Sequence, residues 1–160
     1  MVFHWTHHYI QAQPREWPVI DDHVYAVIVR GYGTVDQSAD VLTTLCAYAG
    51  IPATMMKFED PDGHHLYLGL AQLNGRWCPL DPYHVVYFQR TEGALLSLEE
   101  LVNAPTLLVV GRRGPLTPVI DYEKFIRAGI VLQPPHILRP YAHMPWTRLL
   151  QEFTHWMVQR

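Results

Sequence analysis

The clearest periodic stretch of the chain lies between Thr34 and Gly50 and predicts an α-helix. Its apolar residues recur at helical spacing, at Val35, Ala39, Leu42, Leu45, Cys46 and Ala49. Gly50 stands where a left-handed residue commonly ends a helix, and Pro52 cannot continue one. We therefore expect one long helix with an apolar face.

The stretches that follow this helix have the pattern of β-strands. IPATMMKF predicts one strand, HHLYLGLAQL a second, and RWCPLD a third that returns from a tight turn at Asn74–Gly75. Further along, TLLVVG predicts another strand. Because a long helix is followed by an antiparallel hairpin, the expected fold class is α+β, with the helix packed on an antiparallel sheet.

Shorter helices are expected in the second half of the chain. SLEEL has the capping-box pattern, with Ser97 and Glu100 three residues apart, and DYEKFIRAG (121–129) predicts a short helix after an Asp cap. Residues 144–160 predict a terminal amphipathic helix, whose apolar stripe comprises Trp146, Leu149, Leu150, Phe153 and Met157. Such a stripe is more often core packing, the alternative being a docking surface for a protein partner or a second copy of the chain.

The N-terminal part of the chain is less clearly patterned. HVYAVIVRG (23–31) is compatible with a strand or with the end of a helix, and the stretch before Pro18 shows no clean periodicity. The whole chain of 160 residues is long enough for one domain with a full hydrophobic core.

Charge and composition exclude several classes of protein. The formal net charge is −3 and the pI is about 6.3, whereas nucleic acids and anionic membranes attract basic surfaces. No apolar run is long enough to cross a bilayer, and the N-terminus lacks a secretory-signal pattern. We expect a cytoplasmic protein that binds neither nucleic acid nor membrane, with Cys46 and Cys78 as buried free thiols.

Three blocks of sequence, in order, carry a resemblance to a known family. They are YGTVDQSADVLTTLCAYAGIPA, HLYLGL from His65, and NGRWCPLDP, and with SLEEL they cover about residues 24–102. Together they resemble the transglutaminase-like superfamily, a branch of the papain-like cysteine hydrolases. The resemblance implies a single domain over residues 1–160 with that fold, in which residues 111–160 form a C-terminal extension.

The resemblance also implies a Cys–His–Asp triad. A thiol at a helix N-terminus is acidified by the helix dipole, a His deprotonates it, and an Asp orients the His. On this pattern His65 is the base and Asp81 its partner, brought together by adjacent strands in front of the helix. The residues implied to line the site are Thr34, Asp36, Gln37, His64, Tyr67 and Trp77.

The nucleophile position of this pattern is occupied by Val35. An isopropyl group cannot ionise or attack a carbonyl carbon, so thiol chemistry is lost there. Cys46 lies on the same helix face but roughly 16 Å further along the axis, and Cys78 and Thr34 are poor substitutes. Where the family often has a Glu near the base, this chain has Gly69, which indicates that the constraint on the residues of the cleft has relaxed.

Two interpretations of the remaining site stay open. In the preferred one the domain is catalytically degenerate and acts as a binding or accessory protein for a peptide, amide or glycan, with no cofactor. His65 and Asp81 are then a simple hydrogen-bonded pair or a ligand-binding remnant, and His64 is the rival of His65 if the strand register differs by one residue. In the alternative, an active hydrolase or acyltransferase uses a displaced nucleophile or a water activated by a metal on the hairpin, where His84 also lies. No specific metal motif is present, so we expect no metal.

Overall fold

The computed structural model describes residues 1–19, 23–90, 92–103, 109–110 and 120–127, together with residues 146, 150, 154 and 157. The described helices are α1 (Val2–Tyr9), α2 (Val24–Arg30), α3 (Val35–Tyr48), α4 (Leu98–Asn103) and α5 (Tyr122–Arg127). The described strands are β1 (Gln11–Ala12), β2 (Tyr32–Gly33), β3 (Ala53–Glu59), β4 (His65–Leu73), β5 (Arg76–Asp81), β6 (Val86–Phe88) and β7 (Val109–Val110). The fold is thus α+β, as the pattern predicts.

The main sheet is antiparallel, with the strand order β3-β4-β5-β6-β7. The predicted turn between β4 and β5 is present, with Asn74 (φ 51°) and Gly75 (φ 76°) both left-handed, as a two-residue hairpin turn requires. This turn sets the register in which Gly69 lies opposite Leu80. The short strand β6, which the sequence pattern did not indicate, pairs with β5 through Asp81 and Val86. A separate parallel pair joins β1 and β2.

Helices cover both faces of this sheet. One face packs against α3 in a cluster formed by Leu42, Cys46, Ala53, Ala71 and Leu80. The other face packs against α4 and α5 in a larger cluster that includes Phe58, Leu66, Leu68, Leu70, Phe88, Leu101, Tyr122 and Ile126. Because successive side chains of a strand point to opposite faces, the odd-numbered residues of β4 face α3 and the even-numbered residues face α4 and α5.

The predicted long helix is α3, and it is buried on more than its sheet-facing side. Val41 lies in a third cluster with Ile10, Val24 and Val27, so α1 and α2 cover the outer side of α3. Gly50 follows the helix with a φ of 76°, as expected of the residue that ends it.

The N-terminal segment folds differently from the expectation. Residues without clean periodicity form α1, in which Thr6 is fully buried and Phe3 meets the Tyr87 ring edge-on at 5.8 Å. This helix is rich in aromatic and histidine residues, so tertiary packing rather than helix propensity explains its formation. The ambiguous run at 23–31 is the helix α2, ended by left-handed Gly31 (φ 75°).

The caps predicted for the later helices are present. Ser97 and Glu100 exchange hydrogen bonds, with Ser97 N donating to Glu100 Oε2 at 2.9 Å and Glu100 N donating to Ser97 Oγ at 3.2 Å. The Asp121 carboxylate accepts from Lys124 N at 3.0 Å at the start of α5. The N-terminal residues of the predicted strand TLLVVG, and Gly129, lie outside the described residues.

In the terminal segment, residues 146, 150, 154 and 157 are helical, and Trp146, Leu150 and Met157 are exposed. Leu149 and Phe153 of the predicted stripe lie outside the described residues. Among the helices that the structure describes, none is both long and apolar enough to span a membrane.

Candidate functional site

Val35 is the first residue of α3, and the polar residues around it shape the helix start. Gln37 Oε1 accepts hydrogen bonds from Thr34 N at 3.1 Å and from Arg30 Nη2 at 2.8 Å. Thr34 Oγ1 donates to the Asp36 carboxylate. Val35 is partly exposed, so the position implied for the nucleophile lies at a capped helix N-terminus that carries an aliphatic group.

His65 is the first residue of β4 and lies on the face that packs against α3. It pairs across the sheet with Glu59, and its Nδ1 is 3.5 Å from Glu59 Oε2. The side chains of His65 and Glu59 are 39% and 60% exposed, and the centroid of the His65 ring is 6.5 Å from that of Tyr67 on the same face. The carboxylate that pairs with His65 is therefore that of a surface glutamate.

Asp81 ends β5 on the opposite face of the sheet and is fully buried. Its Oδ1 accepts from His84 N at 3.0 Å, and its Oδ2 lies 2.8 Å from His84 Nδ1. Oδ2 also accepts from the hydroxyl of Tyr122 at 2.8 Å. A buried carboxylate needs this kind of hydrogen-bond satisfaction, because an unpaired one would be strongly destabilising.

The strand register explains why His65 and Asp81 do not meet. Because Leu80 lies opposite Gly69, Asp81 is level with Leu68, an even-numbered residue that faces α4 and α5. His65 is odd-numbered, faces α3, and lies three residues away, roughly 10 Å along the strand. The expectation that adjacent strands bring these two side chains together is therefore wrong. A one-residue difference in register exchanges the faces, and the sequence blocks alone did not reveal it.

His64, the alternative candidate for the base, lies instead in a cluster of polar residues at the turn between β3 and β4. Asp60 Oδ1 accepts from the backbone N–H groups of Asp62 and His64, both at 2.9 Å, and His64 Nδ1 lies 3.1 Å from Asp60 Oδ2. Lys124 Nζ is 2.8 Å from Asp60 Oδ2 and 2.5 Å from Asp62 Oδ2. The hydrogen bond from Lys124 holds the pKa of Asp60 well below its usual range, and the two carboxylates raise the pKa of Lys124.

This cluster also bears on the metal question. Asp60, Asp62 and His64 are the group of potential ligands that converge in the described part of the chain. The ammonium group of Lys124 contacts both carboxylates and offsets one of their two negative charges, which makes the cluster an ion-pair network. The hairpin histidines suggested as metal ligands are divided among separate partners, with His65 beside Glu59 and His84 beside Asp81.

The other residues implied to line the site divide between the two faces of the sheet. Thr34, Asp36 and Gln37 lie at the start of α3, and Tyr67 is half-buried on the face that α3 covers. Trp77 packs against the cluster on the opposite face, with α4 and α5. The six residues therefore do not converge on one cleft.

Neither cysteine has the properties of a nucleophile. Burial raises the pKa of Cys46 to about 11, and burial also raises the pKa of Cys78. Both thiols are buried and free, as expected, and Cys78 Sγ lies 3.7 Å from the carbonyl oxygen of Arg76. At neutral pH both remain protonated.

Gly69 has a packing role that the sequence pattern did not indicate. A Cβ at this position would lie 2.8 Å from Leu42 Cδ2 and 3.4 Å from Thr43 Cγ2. The absence of a side chain lets α3 approach the sheet closely. The interpretation of Gly69 as a sign of a relaxed cleft is therefore replaced by a steric requirement of the helix–sheet contact.

The sequence placed His84 near Asp81 only as a possible metal ligand, and it gave no indication of Tyr122. The spacing of Asp81 and His84, three residues apart across a turn, was the available signal for their pairing. Tyr122 lies 41 residues from Asp81 in the sequence, and no local pattern links the two.

Comparisons with known proteins assign no family. No family model matches the chain, and no curated protein matches it. Among solved structures, it is similar to a protein from Cytophaga hutchinsonii named provisionally as a cysteine protease, with 14% sequence identity and a TM-score of 0.46. The match covers 69% of this chain and 39% of the other. A likeness of this degree establishes neither a family nor an activity.

Proposed function

We propose that this chain is a catalytically degenerate transglutaminase-like domain that acts as a binding or accessory protein. Its ligand would be a peptide, an amide or a glycan, and it would need no cofactor. The exposed side chains of Trp146, Leu150 and Met157 would provide contact with a protein partner or a second copy. A cytoplasmic location belongs to the same proposal.

The separation of the implied triad carries this proposal. Val35 cannot form a nucleophile, His65 lies beside Glu59, and Asp81 is committed to two other side chains on the far face of the sheet. Cysteine hydrolases need an imidazole that contacts the thiolate through one ring nitrogen and the carboxylate through the other. A domain that keeps the order of the sequence blocks but not this contact is best suited to binding without acyl transfer through a thiol.

The alternative of an active hydrolase with a displaced thiol is disfavoured by the two cysteines. Both are buried, and burial raises the pKa of each thiol, so a thiolate is scarce at neutral pH.

The proposal is tested by the substitution Val35→Cys. A thiol at the first position of α3 gains about 1 kcal/mol of thiolate stabilisation from the helix dipole, which raises the thiolate fraction at pH 7 about fivefold. We expect alkylation by iodoacetamide to be faster than that of an unstructured cysteine peptide, in proportion to the increase in thiolate fraction. We expect no hydrolysis or transfer of peptide amides by the same variant, because Asp81 does not orient His65.

The matched control is Tyr48→Cys, at the exposed C-terminal end of the same helix. There the dipole opposes the thiolate, so its alkylation should be slower than that of Val35→Cys. Equal alkylation rates would show that residue 35 is not at a helix N-terminus. Amide hydrolysis or transfer by the natural protein, abolished by His65→Ala, would overturn the claim of degeneracy.

A further inference from the structure

The pair formed by Asp81 and His84 has the geometry of an oriented acid–base group. In a neutral imidazole only one ring nitrogen carries a proton, and a carboxylate 2.8 Å from Nδ1 holds that proton on Nδ1. Nε2 is then left with its lone pair. Among the described residues, no group hydrogen-bonds to Nε2, and 7% of His84 remains exposed.

The surroundings of the pair hold it in place. Tyr122 donates to the same carboxylate oxygen at 2.8 Å, and the backbone N–H of His84 donates to the other oxygen at 3.0 Å. Asp81 is fully buried, so this hydrogen bonding occurs in a low-dielectric environment where it is strongest. Carboxylate orientation of an imidazole in this way fixes its tautomer and its ring orientation.

Tyr83 is the neighbour of this imidazole in both sequence and space. Its ring meets that of His84 edge-on, with centroids 4.9 Å apart, and it is only half-buried. An aromatic ring next to a general base offers contact area to an apolar acyl or aryl group. This surface favours an aryl or small acyl ester over a charged substrate.

We propose that His84 is a general base that activates water for the hydrolysis of such esters, with Asp81 and Tyr122 as positioning residues. Nε2 takes a proton from a water molecule while the water oxygen forms a bond to the ester carbonyl carbon. The bond from that carbon to the leaving oxygen then breaks, and the imidazolium returns the proton to the leaving oxygen. The products are a carboxylic acid and an alcohol or phenol, and His84 is regenerated. This inference goes beyond the proposed function, because attack by water needs no thiol.

The test is hydrolysis of 4-nitrophenyl acetate by the full chain. We expect His84→Ala, and His84→Gln, which keeps an N–H donor for Asp81, to lower the rate constant at least tenfold. His8→Ala changes an exposed histidine on α1 and should leave the rate unchanged. The wild-type reaction should be slower in D2O, because a proton moves as water attacks. Circular dichroism verifies that each variant is folded.

The positioning role of Asp81 is tested by Asp81→Asn. An amide group donates to Nδ1, moves the ring proton to Nε2 and removes the base, so activity should fall as far as in His84→Ala. ¹⁵N NMR of the imidazole should show the proton on Nδ1 in the natural protein and on Nε2 in this variant. An unchanged rate in folded His84→Gln, or a proton on Nε2 in the natural protein, would overturn the inference. Either result leaves the alkylation test of Val35→Cys unaffected, because that test concerns the start of α3.

Discussion

The contact between α3 and the sheet determines whether the substitution Gly69→Ala raises or lowers the free energy of unfolding. In the interior of a strand, replacing Gly by Ala ordinarily stabilises a protein by about 0.5–1 kcal/mol, since Gly loses more conformational entropy on folding. At Gly69 the added Cβ would lie 2.8 Å from Leu42 Cδ2, well inside van der Waals contact. Leu42 is 1% exposed and cannot move into solvent. We therefore expect Gly69→Ala to destabilise the protein.

The magnitude follows from two opposing terms. Overpacking a well-filled core costs about 1–3 kcal/mol, and the entropic gain offsets about 0.5–1 kcal/mol of this cost. The net loss of unfolding free energy should be about 0.5–2 kcal/mol. For a chain of this size it corresponds to a fall in Tm of about 2–4 °C per kcal/mol.

The assay is urea unfolding of Gly69→Ala in two backgrounds, the natural one and Leu42→Ala. Leu42→Ala alone should cost about 2–5 kcal/mol, but it removes the atom that the new Cβ meets. In that background Gly69→Ala should stabilise by about 0.5–1 kcal/mol. The difference between the two backgrounds is the coupling energy of the pair, expected at about 1–3 kcal/mol. Equal stabilisation by Gly69→Ala in both backgrounds would contradict a close approach of Leu42 to residue 69.

Two further predictions concern ionisable groups. Pairing with Lys124 lowers the folded-state pKa of Asp60 below its unfolded value, so the resulting stability is complete above about pH 4 and is lost as the pH falls further. Acid unfolding monitored by circular dichroism should therefore be less steep in Asp60→Asn. An identical acid transition in this variant would contradict the pairing. Cys46 and Cys78 are buried and their pKa values are raised, so Ellman's reagent at pH 8 should react with neither thiol in the folded protein. In urea it should react with both. Rapid reaction without urea would show that a thiol is exposed.

Local sequence chemistry was sufficient for much of the fold. Helical spacing located α3, the Asn74–Gly75 turn joined β4 to β5, and the Ser97–Glu100 capping box marked the start of α4. Each of these signals lies within a few residues of the structure it specifies, because backbone conformation and helix capping depend on neighbouring residues. The helix α1 was missed for the converse reason, since its stability comes from packing against distant elements.

Two features of this chain follow from its amino-acid sequence without the structure: the fold class is α+β, and a turn at Asn74–Gly75 joins the two strands that carry His65 and Asp81. Tertiary structure alone decided which face of the sheet each side chain occupies and which partners it meets. Tyr122 reaches Asp81 from 41 residues away, and α3 leaves no space for a side chain at Gly69. Partners of this kind are set by strand register and by the docking of remote helices, and a shift of one residue in register reverses every face.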